Sequence, residues 1–526
     1  AGVSAVNGPL ILRWASPTGT HGMPTPDELR YFGYEPFPCR CGCGEPVRDP
    51  RYGSVLMRRD SATRRLRGGS VSDYQAFLAS KTVTAPTRGL AAVPPLAAHL
   101  FAFQRDCTAF LLRAGSGGLF LDTGLGKTRC ELEWCLHAAA TTNGRALILT
   151  PLAVARQHER EGLALGYPVR VVRSQDDVRE GINVCNYDRL DTLDPTAFGA
   201  IALDESSILK NFTGETTRAL IGAFGGHRFR LSATATPAPN DHAELAQHAA
   251  FLGVMARDEM LVRWFINDSG DTKSWRLKGH AVGPFFDWMV SWARMAGHPR
   301  DLGDDQPGFD LPPLRLHRHR AFESPDLPTD GLFGTLVSAT TMHDVKRATA
   351  EARADVAARL VKDDGGEPWV VWCDTNYEAD ALVRAIPEAV DVRGSQTISR
   401  KEDTLAAFAD GGARVIITKP SVAGHGLNWQ HCARVIFVGR SFSYEAWYQA
   451  VRRCWRFGQA RSVDVHLVVA EGEDQIGRVI DRKADEHTAM KAAMVAAMRR
   501  ALGTEAAVRV AYTPTHSGRL PAWMTP

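Results

Sequence analysis

Leu119-Phe-Leu-Asp-Thr-Gly-Leu-Gly-Lys-Thr128 sets two glycines, a lysine and a threonine between an apolar run and a helix-forming stretch. A nucleoside triphosphate presents clustered negative oxygens, which backbone N–H groups at a helix start and one ammonium can cradle. On this reading Gly124, Leu125 and Gly126 close the backbone around phosphates, Lys127 reaches the β/γ oxygens and Thr128 holds Mg2+. The strict pattern wants glycine five positions before Gly126, where Leu121 stands. A second apolar run, Ala200-Ile-Ala-Leu203, ends on two adjacent acids, Asp204 and Glu205. Carboxylates at such a place must stay hydrated or meet a cation. A bound metal makes sense of them, with Asp204 toward Mg2+ and Glu205 toward an attacking water. Arg453 and Arg456 lie three apart, on one face of a helix. Cys39, Cys41 and Cys43 are the other cluster with ligand chemistry. Zinc wants four donors, usually with two residues between cysteines. Here one residue separates them and His21 is the nearest further donor, so free thiols in a turn compete with a zinc site.

These residues need elements to position them. Gly118–Leu121, Ala146–Thr150, Val169–Val172, Ile182–Asn186, Ala200–Leu203 and Phe229–Ser232 read as buried strands with helical spacing between them. A second series covers Trp369–Cys373, Ala389–Val392, Val415–Thr418, Arg434–Val438 and Val463–Val469. Strand–helix alternation implies parallel sheets, and its repetition implies an α/β chain of two lobes. Between them, from Met255 to Val345, the strands stop and aromatics accumulate, which reads as a helical insertion packed on the lobes. Trp288 and Trp292, four apart, read as a core stripe, and Arg276, Lys278 and His280 as candidates for phosphate contact. Met490, Met494 and Met498 predict a helix packed against the second lobe. The expected divisions are 1–95, a basic accessory region; 96–255, lobe 1; 256–345, the insertion; 346–505, lobe 2; and 506–526, a tail.

The runs together resemble the Snf2-like branch of the superfamily 2 helicases and translocases, relatives of the DEAD/DEAH-box ATPases, from about Ala97 to Lys491. Asp204-Glu-Ser-Ser-Ile-Leu-Lys-Asn211 resembles motif II, and Leu231-Ser-Ala-Thr-Ala-Thr-Pro237 resembles motif III with Ala235 in place of glycine. Leu147-Ile-Leu-Thr-Pro151 is similar to motif Ia, and Asn186-Tyr-Asp188 to motif Ib. Ser421-Val-Ala-Gly-His-Gly-Leu-Asn428 resembles motif V, and Gln449-Ala-Val-Arg-Arg-Cys-Trp-Arg-Phe-Gly-Gln459 resembles motif VI, with Trp455 and Phe457 departing from the usual form. The resemblance implies two RecA-like lobes, ATP and Mg2+ as cofactors, and Arg453 and Arg456 as arginine fingers. It implies that Gln104 contacts adenine and that Gly426 belongs to the nucleotide site. It assigns nucleic-acid contact or coupling to Thr150, Pro151, Thr234, Thr236, Gly424, His425, Asn428 and Gln449. It implies a DNA-dependent ATPase that moves along duplex DNA; a strand-separating DNA or RNA helicase is the alternative, and a non-catalytic nucleotide-dependent DNA-binding module a remote one. The aromatic block is similar to one in Snf2-like proteins of phages and mobile elements, and a nuclease or methylase partner fits such a motor.

Composition is consistent with this. The 526 residues are 44% hydrophobic and 23% charged, ordinary values for a chain of several globular domains. The longest apolar stretches are strand-length, so no membrane partner is expected, and ten cysteines, seven of them widely scattered, fit a reduced, cytoplasmic setting. The net charge is only +3, yet Arg48, Arg51, Arg58, Arg59, Arg64, Arg65 and Arg67 face only Asp49 and Asp60 over one short segment. That cluster is expected to add sequence-independent affinity for DNA. Replacing Arg58, Arg59, Arg64 and Arg65 with Gln should weaken duplex binding and flatten its log–log salt dependence, because fewer counterions are released. An unchanged slope would reduce the cluster to a solubilising face.

Overall fold

The computed structural model describes residues 34–36, 57–59, 84–151, 154–211, 214–267, 275–321, 339–424, 428–470 and 474–503. Cys39, Cys41, Cys43, His425, Gly426 and the tail from 506 lie outside the described residues, as do Arg48, Arg51, Arg64, Arg65 and Arg67. The chain divides into two units after Thr82, earlier than the expected boundary at 95. In the first unit β1 (Tyr34–Pro36) pairs antiparallel with β2 (Met57–Arg59), which carries Arg58 and Arg59.

The second unit holds both lobes. Lobe 1 contains α1 (Ala102–Ala114), β3 (Ser116–Leu121), α2 (Lys127–Ala140), β4 (Arg145–Thr150), α3 (Ala155–Ala164), β5 (Val169–Val171), β6 (Gly181–Asn186), β7 (Ala200–Asp204) and β8 (Phe229–Ala233). Its strands alternate between two cores. Phe120, Leu147, Leu149, Ile201 and Leu203 enter one, while Leu119, Leu121, Ile148, Ala200 and Ala202 enter the other with residues of α1 and α2. A strand buried on both faces reads as a continuous apolar run, which is why these strands were legible. Period-two alternation also decides the face onto which each terminal polar residue turns.

The segment between the lobes departs from expectation. Its α4 (Arg257–Trp264) and α5 (Val282–Met289) are helical, and β9 (Phe265–Asn267) and β10 (Trp275–Leu277) form an antiparallel pair. The strands do not stop there. β11 (Ala293–Ala296) joins lobe 1 parallel to β3, completing the order β11-β3-β8-β7-β4-β6-β5, and β12 (Leu314–Arg320) joins lobe 2. These strands are hard to read because β11 is four residues long and β12 carries five basic residues in seven. An edge strand tolerates such charge, and charge there discourages pairing with another chain.

Lobe 2 adds β13 (Trp369–Trp372), β14 (Val390–Val392), β15 (Val415–Thr418), β16 (Arg434–Phe437), α6 (Tyr444–Val451), β17 (Val463–Val469) and α7 (Asp474–Gly503). Its sheet runs β12-β17-β16-β13-β15-β14, every pair parallel. Both lobes are thus RecA-like α/β layers. Among the described residues no helix is long and apolar enough to cross a membrane.

The methionine stripe on α7 corrects a second expectation. Met490, Met494 and Met498 enter the lobe 1 core with Phe285, Trp288, Met289 and Trp292, and α7 packs on α5 and β11. The helix leaves lobe 2 and returns across lobe 1. Spacing alone identifies an apolar face but not the surface that covers it. Trp288 and Trp292 are core residues, as expected, with ring centroids 5.3 Å apart. Lys278 donates to the carbonyls of Val262 and Arg263 at 3.0 and 3.1 Å, so its ammonium caps the end of α4.

Trp292 is fully buried against Phe120 of β3. Trp292→Ala should cost about 3–5 kcal/mol, read by circular dichroism as an earlier denaturant midpoint. Val262→Ala, on the exposed face of α4, should stay within about 0.5 kcal/mol. Equal midpoints for the two variants would contradict the assigned core.

Candidate nucleotide site

The loop expected to cradle phosphate begins where β3 ends. Gly124 and Gly126 have φ of 92° and 80°, the left-handed region glycine enters without strain. A Cβ on Gly126 would meet Gln104 Nε2 at 2.3 Å, and one on Gly124 the backbone nitrogen of Phe457 at 2.9 Å. Glycine is therefore required twice over, by conformation and by space. Lys127 and Thr128 open α2, and Lys127 Nζ donates to Leu121 O at 3.1 Å. The carbonyl of Leu121 thus holds the lysine at the strand's end. Gln104 accepts the Phe101 N–H at 3.0 Å and donates to Leu125 O at 2.9 Å, joining α1 to the loop.

The two acids part company at one backbone step. Asp204 is the last residue of β7 and turns toward α2 and α3. Its Oδ2 accepts from Thr150 Oγ1 at 3.0 Å and lies 3.7 Å from His158 Nε2. Glu205 has φ 52° and ψ 49°, the only non-glycine residue with positive φ among those described. The left-handed turn, costing about 1–3 kcal/mol, sends its carboxylate toward lobe 2. Glu205 Oε2 lies 3.3 Å from Gln449 Nε2 and 3.5 Å from Thr234 Oγ1, and Thr234 Oγ1 accepts from Thr236 N–H at 3.1 Å.

Lobe 2 reaches the site through α6 and the turn after it. Arg453 Nε and Nη2 donate to Gln449 O and Oε1 at 3.0 and 2.9 Å. Arg452 Nη2 donates to Thr123 O at 2.6 Å, and Trp455 Nε1 to Pro312 O at 2.7 Å. Between the lobes lies a cavity of about 460 Å3 whose walls include Gln104, Gly124, Gly126, Lys127, Thr128, Asp204, Glu205, Asn428, Arg453 and Arg456. Phe101, Phe309 and Phe457 close one side of it; Phe309 sits 4.5 Å from Phe457 and 5.5 Å from Phe101, centroid to centroid.

The electrostatics suit a polyanion. Burial and the neighbouring Arg453 hold Arg456 down to about 9, and burial holds Arg453 down to about 10. An anion between the two guanidinium groups relieves both. Burial and Glu131 push Asp204 up to about 6 against the pull of His158 and Lys127. A divalent ion beside Asp204 would restore its carboxylate. Thr128 and Asp204 are hard oxygen donors on one wall, a set that fits Mg2+.

Of the residues expected to act in nucleic-acid coupling, Thr150, Thr234 and Gln449 converge on the acidic pair and are buried. Asn428 lines the cavity, while Pro151 and Gly424 do not. Several partners escaped the sequence reading. Asp122 accepts from Tyr448 and pairs with Arg452 at 3.2 Å and Lys491 at 2.8 Å. Burial opposes its ionisation, but Arg452 and Lys491 hold the carboxyl well below the usual range. Glu131 and His158 also went unnoticed; only the four-residue step from Lys127 to Glu131 could have signalled one of them.

A family model for the helicase conserved C-terminal domain matches residues 352–458, the part of lobe 2 that carries motifs V and VI. The DNA annealing helicase and endonuclease ZRANB3 of Mus musculus is 24% identical over 447 residues, covering 74% of this chain and 40% of that protein. The SWI/SNF-related matrix-associated actin-dependent regulator of chromatin subfamily A-like protein 1 of Bos taurus is 24% identical over 428 residues, 74% of this chain and 44% of its own length. The chain therefore spans less than half the length of these relatives. The SWI2/SNF2 ATPase core of Sulfolobus solfataricus, solved in complex with dsDNA, aligns with 77% of this chain and 96% of its own at 16% identity and a TM-score of 0.37. With motifs from both lobes meeting at one cleft, residues 352–458 match a helicase conserved C-terminal domain and the chain is similar to Snf2-like members of the superfamily 2 helicases.

Proposed function

We propose that the chain hydrolyses ATP in this cleft and uses the cycle to move along duplex DNA without separating its strands. The observation that carries the reading is the convergence of Lys127, Asp204 and Glu205 of lobe 1 with Arg453 and Arg456 of lobe 2 on one cavity. Lys127 and the loop backbone bind the β- and γ-phosphates, and Gln104 lies at the base end. Glu205, turned into the cleft, orients the attacking water and takes its proton. Arg453 and Arg456 carry fixed charge to the γ-phosphate oxygens, so closure of the lobes completes the catalytic set. Thr128 and Asp204 would hold Mg2+, which neutralises phosphate charge when bound. Duplex DNA as the track is supported by the relatives, whose names associate them with DNA annealing and chromatin. ZRANB3 is named as helicase and endonuclease together, which supports a nuclease partner for a chain spanning 40% of it.

The test is ATP turnover with no nucleic acid, single-stranded DNA, duplex DNA and RNA, together with triplex displacement and forked-duplex separation. Stimulation by duplex with triplex displacement is expected; strand separation on the fork would favour an unwinding helicase, and stimulation by RNA alone would overturn the DNA reading. Lys127→Ala should abolish turnover and weaken ATP binding, whereas Glu205→Gln should bind ATP and fail to hydrolyse it, measured by nucleotide titration beside the rate.

Arg456→Ala should spare most ATP binding yet lose duplex-stimulated turnover by about 10³-fold or more. Arg456→Lys should rescue it poorly, because an ammonium lacks the planar two-pronged contact. Full stimulation retained by Arg456→Ala would move the finger role to Arg453.

A further inference from the structure

Behind Asp204, away from the cleft, stand two buried side chains that the proposed hydrolysis does not employ. Glu131 lies on α2, one turn beyond Lys127, and His158 lies on α3. Glu131, His158 and Asp204 each direct a ligand atom to one point, with the three atoms within 4.8 Å of one another. Glu131 is wholly buried, and His158 is 1% exposed.

The tautomer of His158 follows from its surroundings. Nδ1 faces the carbonyl oxygen of Val154 at 3.3 Å, and a carbonyl only accepts, so a ring proton belongs on Nδ1. Nε2 faces two carboxylate oxygens, Glu131 Oε2 at 3.4 Å and Asp204 Oδ2 at 3.7 Å. Two buried carboxylates converging on one ring nitrogen in a dry site need positive charge among them. A proton on Nε2 would draw one of the carboxylates to about 2.7–2.9 Å. The observed separations are longer. They match the edge of a tetrahedral ion, since bonds of about 2.0–2.2 Å place ligand atoms about 3.4 Å apart.

Two further observations support a ligand here. Glu131 Oε1 is buried without a hydrogen-bond partner, an unmet acceptor on one of the three converging side chains. The Nδ1–H bond to a backbone carbonyl is also the usual support of a metal-bound histidine. We propose that Glu131, His158 and Asp204 form a site for a divalent transition-metal ion, Mn2+ or Zn2+, distinct from the Mg2+ that accompanies the nucleotide. An imidazole donor favours such ions over Mg2+. The ion would fix one oxygen of Asp204 and leave the carboxylate's other side to the cleft.

Mn2+ is the better probe, because Cys39, Cys41 and Cys43 would compete for Zn2+. The full chain, freed of metal and nucleotide, is titrated with Mn2+ and read by electron paramagnetic resonance. A single tightly bound Mn2+ with coupling to one nitrogen is expected, not displaced by equimolar Mg2+. His158→Gln should remove the nitrogen coupling and weaken binding by about tenfold or more; Glu131→Gln should weaken it similarly and keep the coupling. Replacing the three cysteines with serine should change neither. Absence of tight binding, or wild-type affinity in both variants, would overturn the site. Should the variants fail to fold, a wild-type ion without nitrogen coupling overturns it equally well.

Discussion

Asp122 is where the lobes are held together. It follows β3 at the start of the phosphate loop and is buried against Tyr448, Arg452 and Lys491, which come from α6, the turn after it, and α7. A buried carboxylate is costly unless cations and donors surround it. Here two cations and a phenol do so, and all of them arrive from beyond lobe 1. The interface therefore has one favourable arrangement, and the others leave a charge stranded. Lys210 with Glu445 at 2.5 Å and Gln449 with Glu205 extend the same seam. Because Arg452 also holds the carbonyl of Thr123, lobe 2 is attached directly to the loop that would bind phosphate.

That attachment explains how one chemical site can belong to two sheets. β7 delivers Asp204 onto the face shared with α2 and α3, and the left-handed residue after it sends Glu205 the opposite way. Two adjacent carboxylates thereby avoid mutual repulsion and acquire different neighbours: Thr150 and His158 for one, Gln449 and Thr234 for the other. Backbone strain at Glu205 is tolerated because β7 lies between β4 and β8 in the middle of the sheet, which fixes its end. The metal-binding and water-activating roles proposed for the pair can then fall to neighbours in sequence.

The segment between the lobes is structural in both directions. It extends lobe 1 by β11 and lobe 2 by β12, and α7 returns from lobe 2 to cover Trp288 of α5, Trp292 and the strand that follows. A chain that crosses between lobes twice limits how far they can separate. Lys491 on α7 ties that shared core to Asp122.

The sequence by itself determined the parallel strands of both lobes, because strands buried on both faces must be continuously apolar. It also made the candidate nucleotide residues legible, because phosphate binding would need glycine, lysine and threonine adjacent in the chain. Trp288 and Trp292 were legible as core for the same reason of local spacing. Only the tertiary structure decided that β11 and β12 complete the sheets, since short or basic edge strands have no pattern of their own. It alone placed the methionines of α7 on lobe 1, and it alone brought Asp122 to Lys491 and Glu131 to His158 and Asp204. Those contacts join residues 27 to 369 positions apart. Periodicity reports which face of an element is buried, but the partner across that face is chosen by packing and by the need to neutralise buried charge.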